Sequence, residues 1–441
     1  MQRGLFLAPV SPSLSFWEQS KISQKKVRMR RSRSSGSPSH SFARGFVRFL
    51  HVIASVDSRT GGPIEALRQI GTLHQELGHT VQVASVDPPG SPCKDDLPFP
   101  VHQLGPGLLS YQFSPRLTRW LRRHGSEFDC AIVHGLWQYP THAARMALSG
   151  RVPYFVYTHG MLDPWFNQRF PLKHIKKSIY WHLRMRRDLD ESAGVIFTCQ
   201  KEMERSISSF FPFHWKGIVA PLGISDPPGA SETQIASVQS RFPELNNRRF
   251  LLFFGRIHPK KGCDLLVRAF ARIAAAFPEL ILVMAGPGES GYIRFLKRIV
   301  SQESLDRRVV WTGMVSGPLK WGLLRAADAF VLPSHQENFA IATVEAMAVN
   351  TPVLISDKVQ IWPDVMRTGA GLVETDSFEG TERVLRIWMG LSDEARAKMR
   401  TAGGACYRSR FTIAQTGRIL LNELTARLRS LKSTTHPVET P

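Results

Sequence analysis

ADAFVLPSHQENFAIATVEAMA, residues 327–348, joins an apolar run to a helical pattern through a short polar loop. AFVL is apolar without alternation, which reads as a strand covered on both faces. Ile341, Val344, Met347 and Ala348 recur at helical spacing, so a helix is expected to begin near Ala340. Two glutamates, Glu337 and Glu345, stand eight positions apart in this otherwise mostly apolar stretch. Unpaired carboxylates rarely go to the interior, so both lie on a solvated face or meet something polar that binds there. Glu337 falls in the loop at the positive end of the helix, and Glu345 lies one to two turns inside. The exposed N–H groups of residues 338–340 make an anion or hydroxyl site. A fixed carboxylate beside them can accept both hydroxyls of a diol. The plainer alternative is two surface glutamates on an amphipathic helix.

The same strand–loop–helix rhythm runs outward from this stretch. FVRFLHVIAS is a strand of the buried kind, followed by SRTGG and a helical pattern from Pro63 to Leu77 that Gly78 ends. TVQVASV completes a βαβ unit, the building block of parallel sheets. DCAIVHG, VPYFVYTHG, GVIFTC and IVAPLGI continue the series. Residues 224–247 are polar and rich in Pro, Ser and Asn, as an interdomain connection would be. The pattern then restarts with FLLFF, the loop GRIHPKKGC and a helix expected to be capped by Asp264. LILVMAGPG, RVVWTG, AFVLPS and PVLIS supply further strands. The expected organisation is α/β: two Rossmann-like domains over 46–223 and 248–410, joined by 224–247, with a C-terminal helix over 411–430 and a tail over 431–441. Ligands in such sheets sit beyond the carboxyl ends of the strands.

Composition sets the outer bounds. A chain of 441 residues exceeds one ordinary core. Hydrophobic content of 43% is that of a globular protein. No stretch approaches the ~18–20 apolar residues of a membrane-spanning helix. Five cysteines without a CxxC pair suggest neither a disulfide framework nor a zinc site, and a reducing cytoplasm fits them. The net charge is +21, and residues 1–50 hold ten Lys/Arg against one Glu. Residues 1–45, Ser/Arg-rich and without a signal-peptide pattern, are expected to be a disordered basic tail, with Met29 an alternative start. The remaining basic excess suggests an anionic partner.

The loop GRIHPKKG, residues 255–262, carries a second signal. Arg256 and Lys261 follow a buried strand, and Gly255 and Gly262 let a backbone come close. A pyrophosphate there would meet a guanidinium and an ammonium. Lys260 is expected to point outward. By itself this is also what an ordinary basic turn looks like.

Together, GRIHPKKGCDLL, MAGPG, WTGMV, ADAFVLPSHQENFAIATVEAMA and TPVLI resemble the nucleotide-sugar-binding half of the GT-B glycosyltransferases, group 1 (family 4) type. The resemblance spans residues 46–430 and is strong over 250–356. It implies two Rossmann-like domains facing a cleft, a C-terminal helix crossing back to the first domain, and retaining transfer from a nucleotide diphosphate sugar. By that likeness Arg256 and Lys261 hold the diphosphate and Glu345 the ribose hydroxyls. Glu337, with the amides of Asn338, Phe339 and Ala340, holds the donor sugar. Ala340 stands where the family often has glycine, and its methyl narrows the sugar pocket. SRTGGP fits the family's glycine-rich loop near the diphosphate and acceptor, through Gly61 and Gly62. YTHGMLDPWF resembles the His-Gly segment beside the reacting carbon, so His159 and Glu337 are the expected catalytic pair. His134, at a similar strand end, is a lesser candidate to line the cleft.

Asp188-Leu189-Asp190 looks like the DxD that carries a divalent ion in the other large glycosyltransferase fold. Here it follows arginines on an expected helix surface, and the basic residues above already meet the diphosphate, so no metal or other cofactor is expected. RFPLKHIKKSIYWHLRMRR, residues 169–187, and SPRLTRWLRRHG, residues 114–125, interleave cations with apolar side chains. Such helices can rest on anionic headgroups or be solvated faces packing their aromatics inward. The expected partners are a nucleotide sugar, a lipid-linked or polysaccharide-precursor acceptor and an anionic membrane surface on the cytoplasmic side, with no nucleic acid. Other readings are a different GT-B enzyme, such as a sugar-nucleotide epimerase or sugar-phosphate synthase, and a non-catalytic nucleotide-sugar-binding protein.

Overall fold

The structure is a computed structural model that describes residues 45–92, 97–165, 167, 171–229 and 231–435. The expected basic tail over 1–45 lies outside the described residues except for Gly45, and residues 436–441 of the expected C-terminal tail lie outside them as well.

The apolar runs of each half pair in parallel. Strands β1 (Arg48–Ile53), β2 (Thr80–Ser85), β3 (Val101–Gln103), β4 (Cys130–His134), β5 (Tyr154–Tyr157), β6 (Gly194–Phe197) and β7 (Gly217–Val219) form one sheet in the order β3-β2-β1-β4-β5-β6-β7. Strands β8 (Phe250–Phe254), β9 (Ile281–Ala285), β10 (Val309–Gly313), β11 (Ala329–Leu332), β12 (Val353–Ser356) and β13 (Gly371–Glu374) form the other, ordered β10-β9-β8-β11-β12-β13. Unbroken apolar strands suit sheets with helices on both faces. Along β1, Phe49 and Ile53 pack into one hydrophobic cluster and Leu50 and Val52 into another on the opposite face. Burial of each such side chain contributes about 1.5–3 kcal/mol.

Strand order reverses between β1 and β4 in the first sheet and between β8 and β11 in the second. A crevice opens at such switch points, beyond the carboxyl ends of the strands. The loops after β1, β4, β5, β8 and β11 leave from there, and they carry the expected site residues.

Residues 224–247 are more than a connection. Ser231–Arg241 is a helix, and it packs on the helix Gly317–Ala326, with Arg325 Nε donating to Gln234 Oε1 at 2.9 Å. Its buried Gln234 and Val238 are too sparse an apolar signal to stand out among Ser, Thr and Pro. The C-terminal helix does cross back. Ile224 and residues 411–413 exchange backbone hydrogen bonds. The helix Ile413–Thr435 then lies along the first sheet's helix Gly62–Glu76, where Gly417 abuts Leu73, and Arg427 Nε donates to the Ala193 carbonyl at 3.0 Å.

Candidate functional site

The polar loop after β11 leads into the helix Ile341–Ala348, for which Ala340 is the N-cap. Ala340 has φ 55° and ψ 65°, the left-handed region that an alanine occupies at a cost of about 1–2 kcal/mol. That turn leaves the N–H groups of Asn338, Phe339 and Ala340 without an acceptor among the described residues. The side chains beside them divide the work. Phe339 is buried and meets Phe411 edge-on at 5.8 Å, so only its backbone is available to a ligand. The Asn338 side-chain amide lies 2.9 Å from Thr198 Oγ1, after β6 of the first sheet.

Glu337 is buried, its backbone pinned by exchange with Lys358 and Gln360. The Lys261 ammonium is in ion-pair contact with its carboxylate, and Ser334 Oγ donates to it at 3.4 Å. Burial alone would raise the Glu337 carboxyl, but the ammoniums of Lys261 and Lys260 outweigh it and hold it below its ordinary value. Lys261 comes from the turn Pro259–Lys261 after β8. Gly262 ends that turn at φ +64°, where a Cβ would run into the Pro333 carbonyl; this close approach brings the lysine turn against the Glu337 loop. Lys260 does not point outward: it is half-buried, desolvation lowers its pKa, and it feels Glu337 from one side and Asp163 of the first sheet from the other. Arg256 is exposed, and among the described residues it has no hydrogen-bond or ion-pair partner. Asp264 is not the cap of the following helix: Gly262 is, and Asp264 Oδ1 accepts from Tyr292 Oη at 3.0 Å instead.

Glu345 is also buried and is paired with Lys320 Nζ at 2.5 Å. Its carboxyl is raised, because burial outweighs the Lys320 charge. The charges of Glu65 and Arg68 reach it as well, which puts the first turns of the helix Gly62–Glu76 across from it. Gly61 caps that helix at φ +95°, and a Cβ on Gly61 or Gly62 would meet nothing within 4 Å; the Gly61 N–H donates to the Ser58 carbonyl at 3.2 Å, and the Gly62 N–H has no acceptor among the described residues. The same loop, through Thr60 and Pro63, helps line a cavity of about 520 Å³ whose lining also includes Ser55, Asp87, Gln112, His134 and Gln138.

His159 follows β5 with φ 48°, its ring parallel to Tyr157 at 4.4 Å and bonded through Nε2 to His134 Nδ1 at 3.0 Å. The next residue, Gly160, touches the second lobe: a Cβ there would lie 2.9 Å from Asn338 Cβ. The buried Glu202 holds this segment. Its two oxygens accept from Thr158 Oγ1 (2.7 Å), Gly160 N (2.8 Å), Thr198 N (2.6 Å) and Thr198 Oγ1 (2.7 Å).

The fold thus gathers Lys261, Glu337, Asn338, Phe339 and Ala340 in one place, with His159 opposite Asn338 and Gly61 and Gly62 on the side of Glu345. Arg256 is at the exposed rim of the group. Glu202 and Lys320 had no sequence signal; each is one charged residue on an ordinary helix, and only its partner gives it meaning. Asp188 does not sit on a helix surface. It is fully buried, and its Oδ1 accepts from Arg145 Nε at 2.7 Å, while Asp190 caps the His214 amide at 2.8 Å.

Residues 61–223 match the family model "Glycosyl transferase 4-like domain" and residues 237–403 match "Glycosyl transferases group 1". A D-inositol 3-phosphate glycosyltransferase of Thermomonospora curvata is 33% identical over 167 residues, 36% of this chain and 38% of that protein. Mannosylfructose-phosphate synthase of Agrobacterium fabrum is 32% identical over 142 residues, 30% of this chain and 31% of that protein. The chain spans less than half the length of these two curated relatives. Among solved structures, Anabaena HepE in complex with UDP and glucose superposes with a TM-score of 0.70 at 16% identity, covering 86% of this chain and 100% of that one. Sucrose-phosphate synthase from Thermosynechococcus elongatus superposes with a TM-score of 0.69 at 17% identity, covering 87% of this chain and 100% of that one. Likeness at such identity speaks to the fold, and the family models speak to descent: the chain belongs to the group 1 glycosyltransferases and has their two-lobed GT-B fold.

Proposed function

We propose that this chain is a retaining glycosyltransferase that moves a sugar from a nucleotide diphosphate sugar to a lipid-linked or polysaccharide-precursor acceptor at an anionic membrane surface. The observation that carries the reading is the Lys261–Glu337 ion pair beside the unpaired amides of residues 338–340, facing His159–Gly160 of the other lobe. Lys261, Lys260 and Arg256 present three cations to a diphosphate, and the helix terminus adds its partial positive charge. Glu337 and Glu345 accept from sugar and ribose hydroxyls. The binding of UDP and glucose by Anabaena HepE supports a nucleotide-sugar donor.

In the reaction the acceptor oxygen bonds to the anomeric carbon on the face the diphosphate leaves. The carbon–oxygen bond to phosphate breaks, and the acceptor's proton passes to the departing phosphate oxygen. The protein orients both substrates and stabilises charge on the leaving group. His159 contacts the sugar or the acceptor without serving as a strong base, in keeping with a ring that burial pushes down to about 3. Cations of the chain meet the phosphate charge, so the scheme calls for no resident cofactor.

The membrane part rests on the helix Pro171–Tyr180 and the turn Trp181–Met185 after it. Their aromatics pack inward: Trp181 is fully buried and Tyr180 Oη is 2.9 Å from Tyr111 Oη. Their aliphatics do not. Leu172, Ile175, Ile179 and Leu183 are 81%, 57%, 58% and 70% exposed, at spacings that make one stripe. Lys173, Lys176, Arg184 and Arg187 are exposed alongside them. An apolar stripe with cations beside it suits an anionic lipid surface. In the other basic stretch Leu117 and Leu121 are buried, leaving only a solvated charged face.

A thermal-shift panel of nucleoside diphosphates and their sugars tests the donor. Glu345→Ala should weaken the nucleotide response and Glu337→Ala should abolish discrimination among sugars; unchanged profiles in both would remove the assignment. Product anomeric configuration by NMR decides retention. Cosedimentation with anionic and neutral vesicles, at low and high salt, tests the surface: equal pelleting with both lipids would count against it.

A further inference from the structure

Three histidines of the first sheet form one hydrogen-bonded row. Side chains alternate along a strand, so Phe49, His51 and Ile53 of β1 share a face with Cys130, Ile132 and His134 of β4 and with Phe155 and Tyr157 of β5. His159 continues that face past the end of β5. His51 Nδ1 lies 2.8 Å from His134 Nε2, and His134 Nδ1 lies 3.0 Å from His159 Nε2. The rings lie edge to edge and nearly coplanar, with interplanar angles of 23° and 20° and centroids 5.1 and 5.2 Å apart, as in-plane N–H···N bonds require.

Proton counting leaves two arrangements. Burial pushes the imidazoles of His51 and His159 down to about 3 and lowers that of His134, so all three are neutral. A neutral imidazole has one N–H and one bare nitrogen. Each link needs one donor and one acceptor, so the protons all point one way along the row. They run either from His51 toward His159 or back again.

The ends of the row differ. His51 Nε2 is buried with no partner among the described residues. His159 is partly exposed, and its Nδ1, unlike His51 Nε2, is not sealed from solvent. If the protons ran back toward His51, Nε2 would carry a buried N–H with nothing to accept it, at a cost of about 1–3 kcal/mol. Unpaired buried N–H groups are rarer in native proteins than unpaired acceptors.

We infer that His51 and His134 are positioning residues that fix the tautomer of His159, so that His159 presents its Nδ1–H to the gap between the lobes as a hydrogen-bond donor. The ligand atom it meets is then an acceptor, such as a sugar oxygen or a phosphate oxygen, and not a hydroxyl proton to be removed. The functional part rests on the reading of His159 as a residue of the transfer site; the tautomer itself does not. His134 also lines the cavity beside Ser55 and Asp87, so the row joins that cavity to the gap.

Imidazole ¹⁵N NMR of histidine-labelled full chain reads the tautomer directly. In the wild type His159 should show a protonated Nδ1 and a bare Nε2. His51→Leu should lose that preference, giving a mixture or the opposite tautomer. His51→Asn, whose amide N–H takes the place of Nδ1–H, should keep it. In a donor-turnover assay His51→Leu should lower kcat on the order of tenfold at unchanged donor KM, with His51→Asn restoring most of it. Nδ1 bare in the wild type, or a His159 tautomer indifferent to His51→Leu, overturns the inference. If His51→Leu does not fold, the wild-type assignment and its retention in His51→Asn decide. A correct tautomer in a chain without transferase activity would sink the functional reading and leave the row standing.

Discussion

Lys261 and Glu337 neutralise one another across two loops that leave neighbouring strands of the second sheet. The carboxylate is buried and the ammonium mostly so, with side-chain exposures of 9% and 20%. Removing one partner of such a pair leaves an uncompensated charge. Lys261→Met should therefore destabilise the chain by about 2 kcal/mol, and Lys261→Met combined with Glu337→Gln should recover much of the loss. Urea unfolding of the single and double variants measures the coupling. With Glu337→Gln alone completing the cycle, strictly additive losses would show that the pair contributes nothing.

The same pair sets a pH dependence. The Glu337 carboxyl lies below its ordinary 4.5 in the folded chain. Its stabilisation is present above 4.5 and lost as pH falls through the depressed folded value. The stability gap between wild type and Glu337→Gln should shrink as pH drops from about 6 through that range. Glu345 has the opposite sign: its raised carboxyl favours the folded state when protonated, and that contribution fades as pH rises through its folded value. Glu345→Gln, which cannot ionise, should gain stability relative to wild type as pH rises from about 4 to about 7.

Ala340 holds a left-handed conformation that glycine adopts freely. Ala340→Gly should raise stability by about 1 kcal/mol, and Ala340→Val should lower it by more than that, since a β-branched side chain resists this region and the site is nearly closed. Thermal unfolding decides. No gain from glycine would mean that the methyl, 9% exposed with its residue, packs well enough to offset the strain.

Contact between the lobes passes through Gly160 and Asn338. A methyl on Gly160 meets Asn338 Cβ at 2.9 Å, closer than carbon atoms tolerate. Gly160→Ala should hold the lobes apart, and small-angle scattering should show a larger radius of gyration than wild type in nucleotide. Thr198→Val, which removes the 2.9 Å hydrogen bond to Asn338, should weaken closure with a smaller effect. Unchanged scattering in Gly160→Ala would show that this contact does not govern closure.

Much of the architecture was legible because buried parallel strands announce themselves as unbroken apolar runs. The AFVL strand, the helix beginning after Ala340 and the lysine turn were placed correctly for local reasons: pattern, capping and glycine. The helix Ser231–Arg241 was missed because two buried residues in a polar segment make no visible period. Asp188 was misplaced because its partner, Arg145, is 43 residues away.

The chain's order of residues determined the two parallel sheets and which loops would leave their carboxyl edges, since hydrophobic period and turn chemistry are local properties. Tertiary structure alone decided that Lys260 turns inward, that Lys320 rather than solvent answers Glu345, that Glu202 ties the His159 segment to Thr198, and that His51 of β1, His134 of β4 and His159 just past β5 meet through their ring nitrogens. These are pairings between distant residues. Their energies depend on separation and burial in space, which no local pattern encodes.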